Sequence, residues 1–137
     1  MESVIQSNTI EGDVSLIANG AVTEGYLVKL STVSAGESRV ILPTDVADEC
    51  PFVALDTAAD GGTVSLRPIT PGQSVRLIAD GAIAGGVRVY LSGTWGKVVT
   101  STGAGADTYF SPGIAETDAT SGGYVRVRVM PRVVVVT

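Results

Sequence analysis

The sequence contains no histidine and only one cysteine. Without histidine, the chain lacks the side chain that most often serves as a general base or as a zinc or iron ligand, and Ser-His and Cys-His nucleophile pairs are excluded. The single cysteine, Cys50, cannot form an intrachain disulfide, so the sequence does not describe a small secreted domain held together by disulfides. The neighbouring Asp48 and Glu49 are expected to raise the pKa of the Cys50 thiol rather than activate it. We predict a structural thiol.

Long apolar runs and excess positive charge are also missing. No apolar run approaches the roughly 20 residues that a membrane helix needs, and the stretch "MESVIQSNTIEGD" lacks the basic and apolar segments of a secretory signal peptide. The net charge of −5 disfavours free nucleic acid as a partner. We therefore predict no membrane partner, no nucleic-acid partner and synthesis in a reducing cytoplasm.

The charge that is present is distributed unevenly. Residues 1–68 carry ten acidic and three basic side chains, whereas residues 69–137 carry four acidic and six basic ones. Such a dipolar chain favours either head-to-tail contacts between copies or a simple solvated surface.

No stretch of the sequence matches a cofactor or metal motif. "DVADE" (residues 45–49) has neither the ligand spacing nor the central glycine of a calcium loop, which favours a solvated acidic loop. "GAGAD" and "SGG" lack the lysine and the strand-to-helix context of a phosphate-binding loop. We expect no cofactor and no metal, and we expect that the protein is not an enzyme.

The residues that are abundant indicate a β protein. Hydrophobic residues make up 45% of the chain and aromatic residues 5%, with 17 glycines and six prolines. This mixture is typical of short strands joined by many turns. The apolar spacing of an amphipathic helix does not persist for three turns anywhere.

The chain repeats itself with an offset of 61 residues. "VSLIANGAVTEGYLVKLS" (14–31) and "VRLIADGAIAGGVRVYLS" (75–92) are identical at ten of 18 positions. At the same offset, "PFVALDTAADGGTVSLR" (51–67) and "PGIAETDATSGGYVRVR" (112–128) agree at seven of 17. Chance gives roughly one or two matches per window. Residues 32–50 and 93–111 share nothing at this offset, so we infer a tandem duplication whose middle has diverged.

Each copy has the pattern of a small strand meander. Asn19-Gly20 and Asp80-Gly81 favour type I′ hairpin turns, and a Gly-Gly pair precedes the last strand of each copy. Apolar residues alternate along the strands, and this alternation predicts which side chains face inward. These predicted inward residues are Val28, Leu30, Val64 and Leu66, with their counterparts Val89, Leu91, Val125 and Val127.

These patterns predict an all-β protein with two tandem homologous units. Each unit is a small barrel-like meander, and the two pack as one compact pseudo-symmetric domain because either unit alone has a poor ratio of surface to volume. We divide the chain into an N-terminal arm (1–13), unit one (14–74, with a linker at 69–74) and unit two (75–137, with a C-terminal strand).

Several residues outside the repeat pattern are candidates for partner binding. Ile5 and Ile10 are isolated apolar residues in an arm that is either disordered or ordered by a partner. Trp95 is either a contact residue at a hairpin tip or a local core residue. Arg126 and Arg128 lie on the outward face of a strand and either meet carboxylates of another subunit or are solvated.

The C-terminus "VRVRVMPRVVVVT" is a strong strand former. Pro131 marks an edge or a bulge, because proline cannot donate to a strand ladder. Val133–Val136 carry no polar residue and would promote aggregation if exposed, so we expect burial in the core or in a subunit interface.

The doubled pattern "G-A-[VI]-x-x-G-x-x-V-x-L", followed by "GG-x-V-x-[LV]-R", resembles capsid cement or head decoration proteins of tailed bacteriophages. The resemblance covers most of residues 14–130, although a duplicated unit departs from the single-copy pattern of that family. It implies a structural virion protein made in the host cytoplasm that binds the outside of the assembled capsid and stabilises it. It also implies the major capsid protein as partner, a homo-oligomer with a trimer favoured, an N-terminal segment that touches the capsid, and no catalytic residues.

Two other classes of function remain open. A lipoyl or biotinyl barrel adaptor uses similar half-repeats but presents a modified lysine at a hairpin tip, whereas Lys29 falls in mid-strand and Lys97 lacks the expected flanks. A carbohydrate-binding module of a phage fibre or tail usually shows several surface aromatic residues, and this chain has one tryptophan and four tyrosines.

Overall fold

The computed structural model describes residues 12–31, 39–102 and 107–136. Within these ranges the chain is all-β, with ten strands and no helix, which confirms the predicted fold class of two barrel-like units. The strands of unit one are β1 (Val14–Ala18), β2 (Leu27–Leu30), β3 (Arg39–Ile41), β4 (Phe52–Ala54) and β5 (Thr63–Pro68). Those of unit two are β6 (Ser74–Ile78), β7 (Arg88–Leu91), β8 (Val98–Val99), β9 (Asp107–Ala115) and β10 (Tyr124–Val136).

Each unit forms its own sheet. β1–β5 form a closed barrel in the order β1-β3-β2-β4-β5, in which β1 pairs antiparallel with β5 and parallel with β3. β6–β10 form a five-stranded sheet in the order β6-β10-β9-β7-β8. A parallel bridge between Ala79 and Val98 joins the two ends of this second sheet, so it curls in the same way as the barrel of unit one.

The strand registers of the two units correspond residue by residue. Val14 pairs with Leu66 in unit one, and Val75 pairs with Val127 in unit two, so both partners are displaced by the 61 residues of the sequence repeat. The same displacement relates the β2–β4 pairs to the β7–β9 pairs and the β4–β5 pairs to the β9–β10 pairs. The duplication is therefore a duplication of strand pairing.

The middle of each unit is also equivalent, which the sequence comparison missed. Lys29 pairs with Ile41 in unit one, and Tyr90 pairs with Val99 in unit two. Tyr90 lies 61 residues after Lys29, but Val99 lies only 58 after Ile41. Unit two has three residues fewer before β8 and three more after it, so β3 and β8 leave the common offset and their relation is hidden.

The predicted type I′ hairpins are wrong. Only glycines have positive φ among the described residues, so Asn19 and Asp80 do not adopt the conformation that the turn needs. β1 does not pair with β2, because its neighbours in the barrel are β3 and β5. The polar side chains bind across the unit instead: the Asn19 amide donates to Ser31 Oγ at 3.1 Å, and the Ser92 hydroxyl donates to Asp80.

The strand alternation predicted most inward residues correctly. Val28, Val89 and Leu91 are fully buried, and so are the predicted inward residues of the last strands, Val64, Leu66, Val125 and Val127. Leu30 is an error, since it is 50% exposed. It is the last residue of β2, at the end of the barrel, and no further residue of its strand covers it.

The two units share buried surface. Leu27, Cys50 and Val53 of unit one belong to the same apolar cluster as the core of unit two, including Leu77 and Phe110. Main-chain hydrogen bonds also cross the junction: Leu27 N–H donates to Gly96 O at 2.9 Å, and Phe110 N–H donates to Val46 O at 2.8 Å. The predicted mutual burial of the units is thus present, and it is supplied mostly by the larger core of unit two.

The end of β10 extends beyond the sheet. A register shift between Val129 and Arg132 confirms the predicted irregularity at Pro131. Beyond it, residues 132–136 pair only with residues 107–111 of β9, and we name this two-stranded segment the C-terminal ribbon. Val133 is 47% and Val135 67% exposed, so the expected burial of these valines in the chain's own core is wrong. The reason is that no other described strand packs over the ribbon.

Candidate functional site

Three arginines lie on the outward face of β6 and β10. Strand alternation places Arg76, Arg126 and Arg128 outward because their neighbours along each strand are buried. Arg76 and Arg126 are directly opposite each other in the antiparallel register, and Arg128 is opposite Ser74. Arg126 and Arg128 were predicted as contact residues from the sequence, and the structure places them side by side on this face.

This arginine face borders a cleft between the two units. The cleft has a volume of about 380 Å³. Buried Val53, Ala54 and Val75 contribute its apolar part, and Glu24 is a carboxylate on the wall from unit one. The guanidinium-bearing residues that line it are Arg67 of unit one and Arg76 and Arg126 of unit two.

One carboxylate already occupies the edge of the arginine face. Glu116 Oε1 accepts from Arg126 Nε at 3.1 Å, and its Oε2 lies 2.7 Å from Arg128 Nη2. The Ser74 hydroxyl donates to Glu116 at 2.5 Å. The Ser74 hydrogen bond, followed by the Arg128 guanidinium, holds the pKa of Glu116 below its ordinary value. The face therefore binds carboxylate oxygens in charge-assisted hydrogen bonds.

The other two arginines of the cleft have different partners. Arg67 makes a two-point contact with Asp13, with Nε–Oδ1 and Nη2–Oδ2 distances of 3.1 and 3.3 Å. The Arg76 guanidinium lies 4.1 Å from the centre of the Tyr124 ring, a cation–π contact that orients it without neutralising it. Within the described part of the chain, Arg76 has no carboxylate partner.

Sequence reasoning missed Arg67, Arg76 and Tyr124. The signal for Arg76 was present in the repeat alignment, where Arg76 and Arg126 replace Ser15 and Ser65 of unit one. Recognising it required the strand register, because only the register shows that these two positions are neighbours.

The remaining predicted contact residues lie elsewhere. Trp95 is half-buried in the turn between β7 and β8 and does not line the cleft. Ile5 and Ile10 lie outside the described residues.

The other chemically notable side chains are held in structural roles. Burial, with a contribution from Asp48, raises the pKa of the Cys50 thiol to about 12, so the thiolate is scarce at neutral pH. Lys29 Nζ lies 2.8 Å from Asp48 Oδ2 in an ion pair beside the barrel. Among the described residues, no group of three or more potential ligands could hold a metal ion. In the same ranges, no helix has the length and apolarity to cross a membrane.

The fold resembles one solved in a phage head component. The similar crystal structure is described as the head fiber gp8.5 N base in bacteriophage phi29. The TM-score is 0.69, and the alignment covers 86% of this chain and 92% of that one. The two chains share a fold. Their sequence identity is 17%, so the similarity carries no residue roles from one chain to the other. No family model matches this sequence, and no curated protein matches it significantly.

Proposed function

We propose that this chain is a non-enzymatic structural protein of a tailed-bacteriophage virion, which binds the outer surface of the assembled capsid and stabilises it. The observation that carries the proposal is the fold shared with a phage head fiber base over 86% of the chain. The strand-and-turn motifs that resemble capsid cement proteins support it independently, because they come from the sequence alone. The proposed partner is the major capsid protein.

Stabilisation follows from selective binding. A protein that binds the assembled lattice but not the free subunits stabilises the lattice by about 2.7 kcal/mol per site when its free concentration is a hundredfold above the dissociation constant. The closed barrel and the core shared between the units suit this role, since a rigid binder loses little conformational freedom when it attaches.

We also propose that the protein acts as a homo-oligomer, with a trimer favoured. The C-terminal ribbon supports self-association, because Val133 and Val135 expose apolar surface on a strand whose second edge has no partner among the described strands. An oligomer that contacts several capsid subunits at once increases the effective concentration for each later contact. The N-terminal arm, with Ile5 and Ile10, is proposed to supply a further capsid contact by strand addition.

The direct experiment is to mix the purified protein with undecorated phage heads and measure bound copies by sedimentation and electron microscopy. We expect saturable binding to heads, no binding to free capsid subunits, and decorated heads that release DNA at a higher temperature. A variant lacking residues 2–10 is expected to fold normally and to lose head binding. Heads that remain bare at saturating protein would contradict the function, and undiminished occupancy by the deletion variant would contradict the role of the arm.

A further inference from the structure

Unit one is an internal reference for what the fold requires of unit two. In unit one, the cross-strand pair on β1 and β5 consists of Ser15 and Ser65. The equivalent pair on β6 and β10 consists of Arg76 and Arg126. Like charges directly opposite on neighbouring strands destabilise a sheet. Because the same fold forms with two serines, the arginines are not needed for folding, and their cost points to a binding role.

The main chain of β6 is also free at this position. Ala79 N–H donates to Gly123 O on one side of the arginine pair, and Val129 N–H donates to Gln73 O on the other. Since hydrogen-bonded positions alternate along an antiparallel strand, the N–H and C=O of Arg76 point away from β10. Ile78, two residues further on, points the same way, and its N–H reaches Gly25 O of unit one at 3.3 Å.

The edge at Arg76 therefore faces the cleft. Within the described part of the chain, β6 pairs with β10 alone, apart from the bridge at Ala79. A strand added at this edge would place alternate side chains beside the outward Arg76 and Arg126, and the others beside the buried Val75. Arg67 stands on the opposite wall. The cleft thus offers main-chain partners, cations and an apolar surface in the order that one extended strand needs.

We propose that this cleft binds an extended acidic segment of another polypeptide. The segment adds to the free edge of β6 at Arg76, its carboxylates bind Arg76, Arg126 and Arg67, and its apolar residues pack on Val75. Glu116 shows that a carboxylate can approach this face closely, because it already bonds Arg126 and Arg128. The inference does not depend on the proposed virion function.

A polypeptide fits this site better than a nucleic acid does. The chain carries a net charge of −5, which repels a polyanion at long range. Glu24 lies in the cleft itself, and Asp13 and Glu116 border it, so a dense row of phosphates would meet carboxylates as well as arginines. Single carboxylates spaced two residues apart can bond the arginines and avoid these acids.

The probe is a capped synthetic peptide in which valine and aspartate alternate over seven residues, with a fluorescent label for anisotropy. We expect saturable binding to the full-length protein that weakens as salt is raised. The Arg76→Ser/Arg126→Ser variant, which installs the residues of unit one, is expected to bind about tenfold or more weakly. Arg132→Ser removes an arginine from the exposed end of β10 and is expected to change the affinity less than about twofold.

Further measurements identify the mode of binding. Hydrogen exchange of the Arg76 amide should slow when the peptide binds, whereas an anion held by side chains alone would leave it unchanged. A peptide with lysine in place of aspartate should not bind. Equal affinity of the serine variant and the parent protein would overturn the proposal, and so would inorganic phosphate that binds with the affinity of the peptide. The serine variant should unfold at no lower denaturant concentration than the parent, because unit one tolerates serine at both positions. Loss of stability would refute the argument from the reference unit, and head binding would be unaffected by either failure.

Discussion

Gly96 lies at the contact between the two units and illustrates how one residue is constrained by both. Its φ is +91°, and a Cβ placed on it would come within 2.9 Å of Tyr26 Cβ. Gly86 has nearly the same φ, +89°, but a Cβ placed there would meet nothing within 4 Å. The two glycines share the same backbone strain and differ only in the neighbouring unit.

This pair allows the junction to be measured at the scale of a residue. Gly86→Ala should lower the free energy of unfolding by about 1–2 kcal/mol, because alanine disfavours positive φ. Gly96→Ala should cost a further 1–3 kcal/mol, roughly, because Tyr26 must move to admit the methyl group. Urea unfolding followed by circular dichroism measures both. Equal losses would mean that the Tyr26 contact is soft.

Leu30 and Leu91 show the limit of sequence patterns at this scale. They occupy equivalent positions in the repeat, and strand alternation places both inward. Only Leu91 is buried, because it joins the larger core that unit one helps to complete. Alternation reports the face of a strand, and it does not report what covers that face.

At the scale of elements, the C-terminal ribbon is the least covered part of the described structure. Its stability comes from β9–β10 pairing and from Arg88, whose guanidinium donates to Ser111 Oγ and to Met130 O at 2.9 and 3.1 Å. The exposed side chains of Val133 and Val135 contribute nothing to these contacts. The ribbon can therefore be altered on its outer face without loss of the fold.

We expect the Val133→Glu/Val135→Glu variant to be a folded monomer of about 13.9 kDa, whereas the parent protein forms a larger species. Charged side chains in an apolar contact lose hydration that the complex does not restore. Val87→Glu, at another exposed valine, is the control and should leave the oligomer intact. Light scattering coupled to gel filtration measures the mass. A parent protein that is already monomeric would refute self-association through the ribbon.

The relation between β3 and β8 shows why one element escaped detection. Both are short, and the three-residue shift in unit two removes them from the 61-residue offset. The equivalence became visible only through their partners, since β2 and β7 keep the offset and pair with them in the same way. Short strands between loops of different length carry too few residues for a sequence comparison to align.

At the scale of the whole molecule, the shared core predicts that the two units unfold together. Leu27 belongs to unit one, but it packs within the core cluster of unit two. Leu27→Ala should therefore reduce the stability of both units, by about 2–5 kcal/mol for the loss of a buried leucine. Hydrogen exchange of the Val64 and Val125 amides, one in each unit, should accelerate by similar factors.

The outcome that contradicts this expectation is also clear. Faster exchange in unit one alone, or two separate transitions in denaturant, would show that the units fold independently. Val135→Ala, on the exposed ribbon, is the control and should leave exchange at both amides unchanged.

The sequence by itself determined the duplication, the all-β class, the inward residues of the last strand of each unit and the structural character of Cys50. These properties depend on local patterns: a common offset, the two-residue alternation of strands, and the chemistry of neighbouring side chains. The tertiary structure alone decided that Arg76 stands opposite Arg126, that Leu27 completes the core of the other unit, and that the C-terminal valines remain exposed. Each of these depends on which strand lies beside which, and that choice is made by contacts between residues distant in the chain, which no local pattern records.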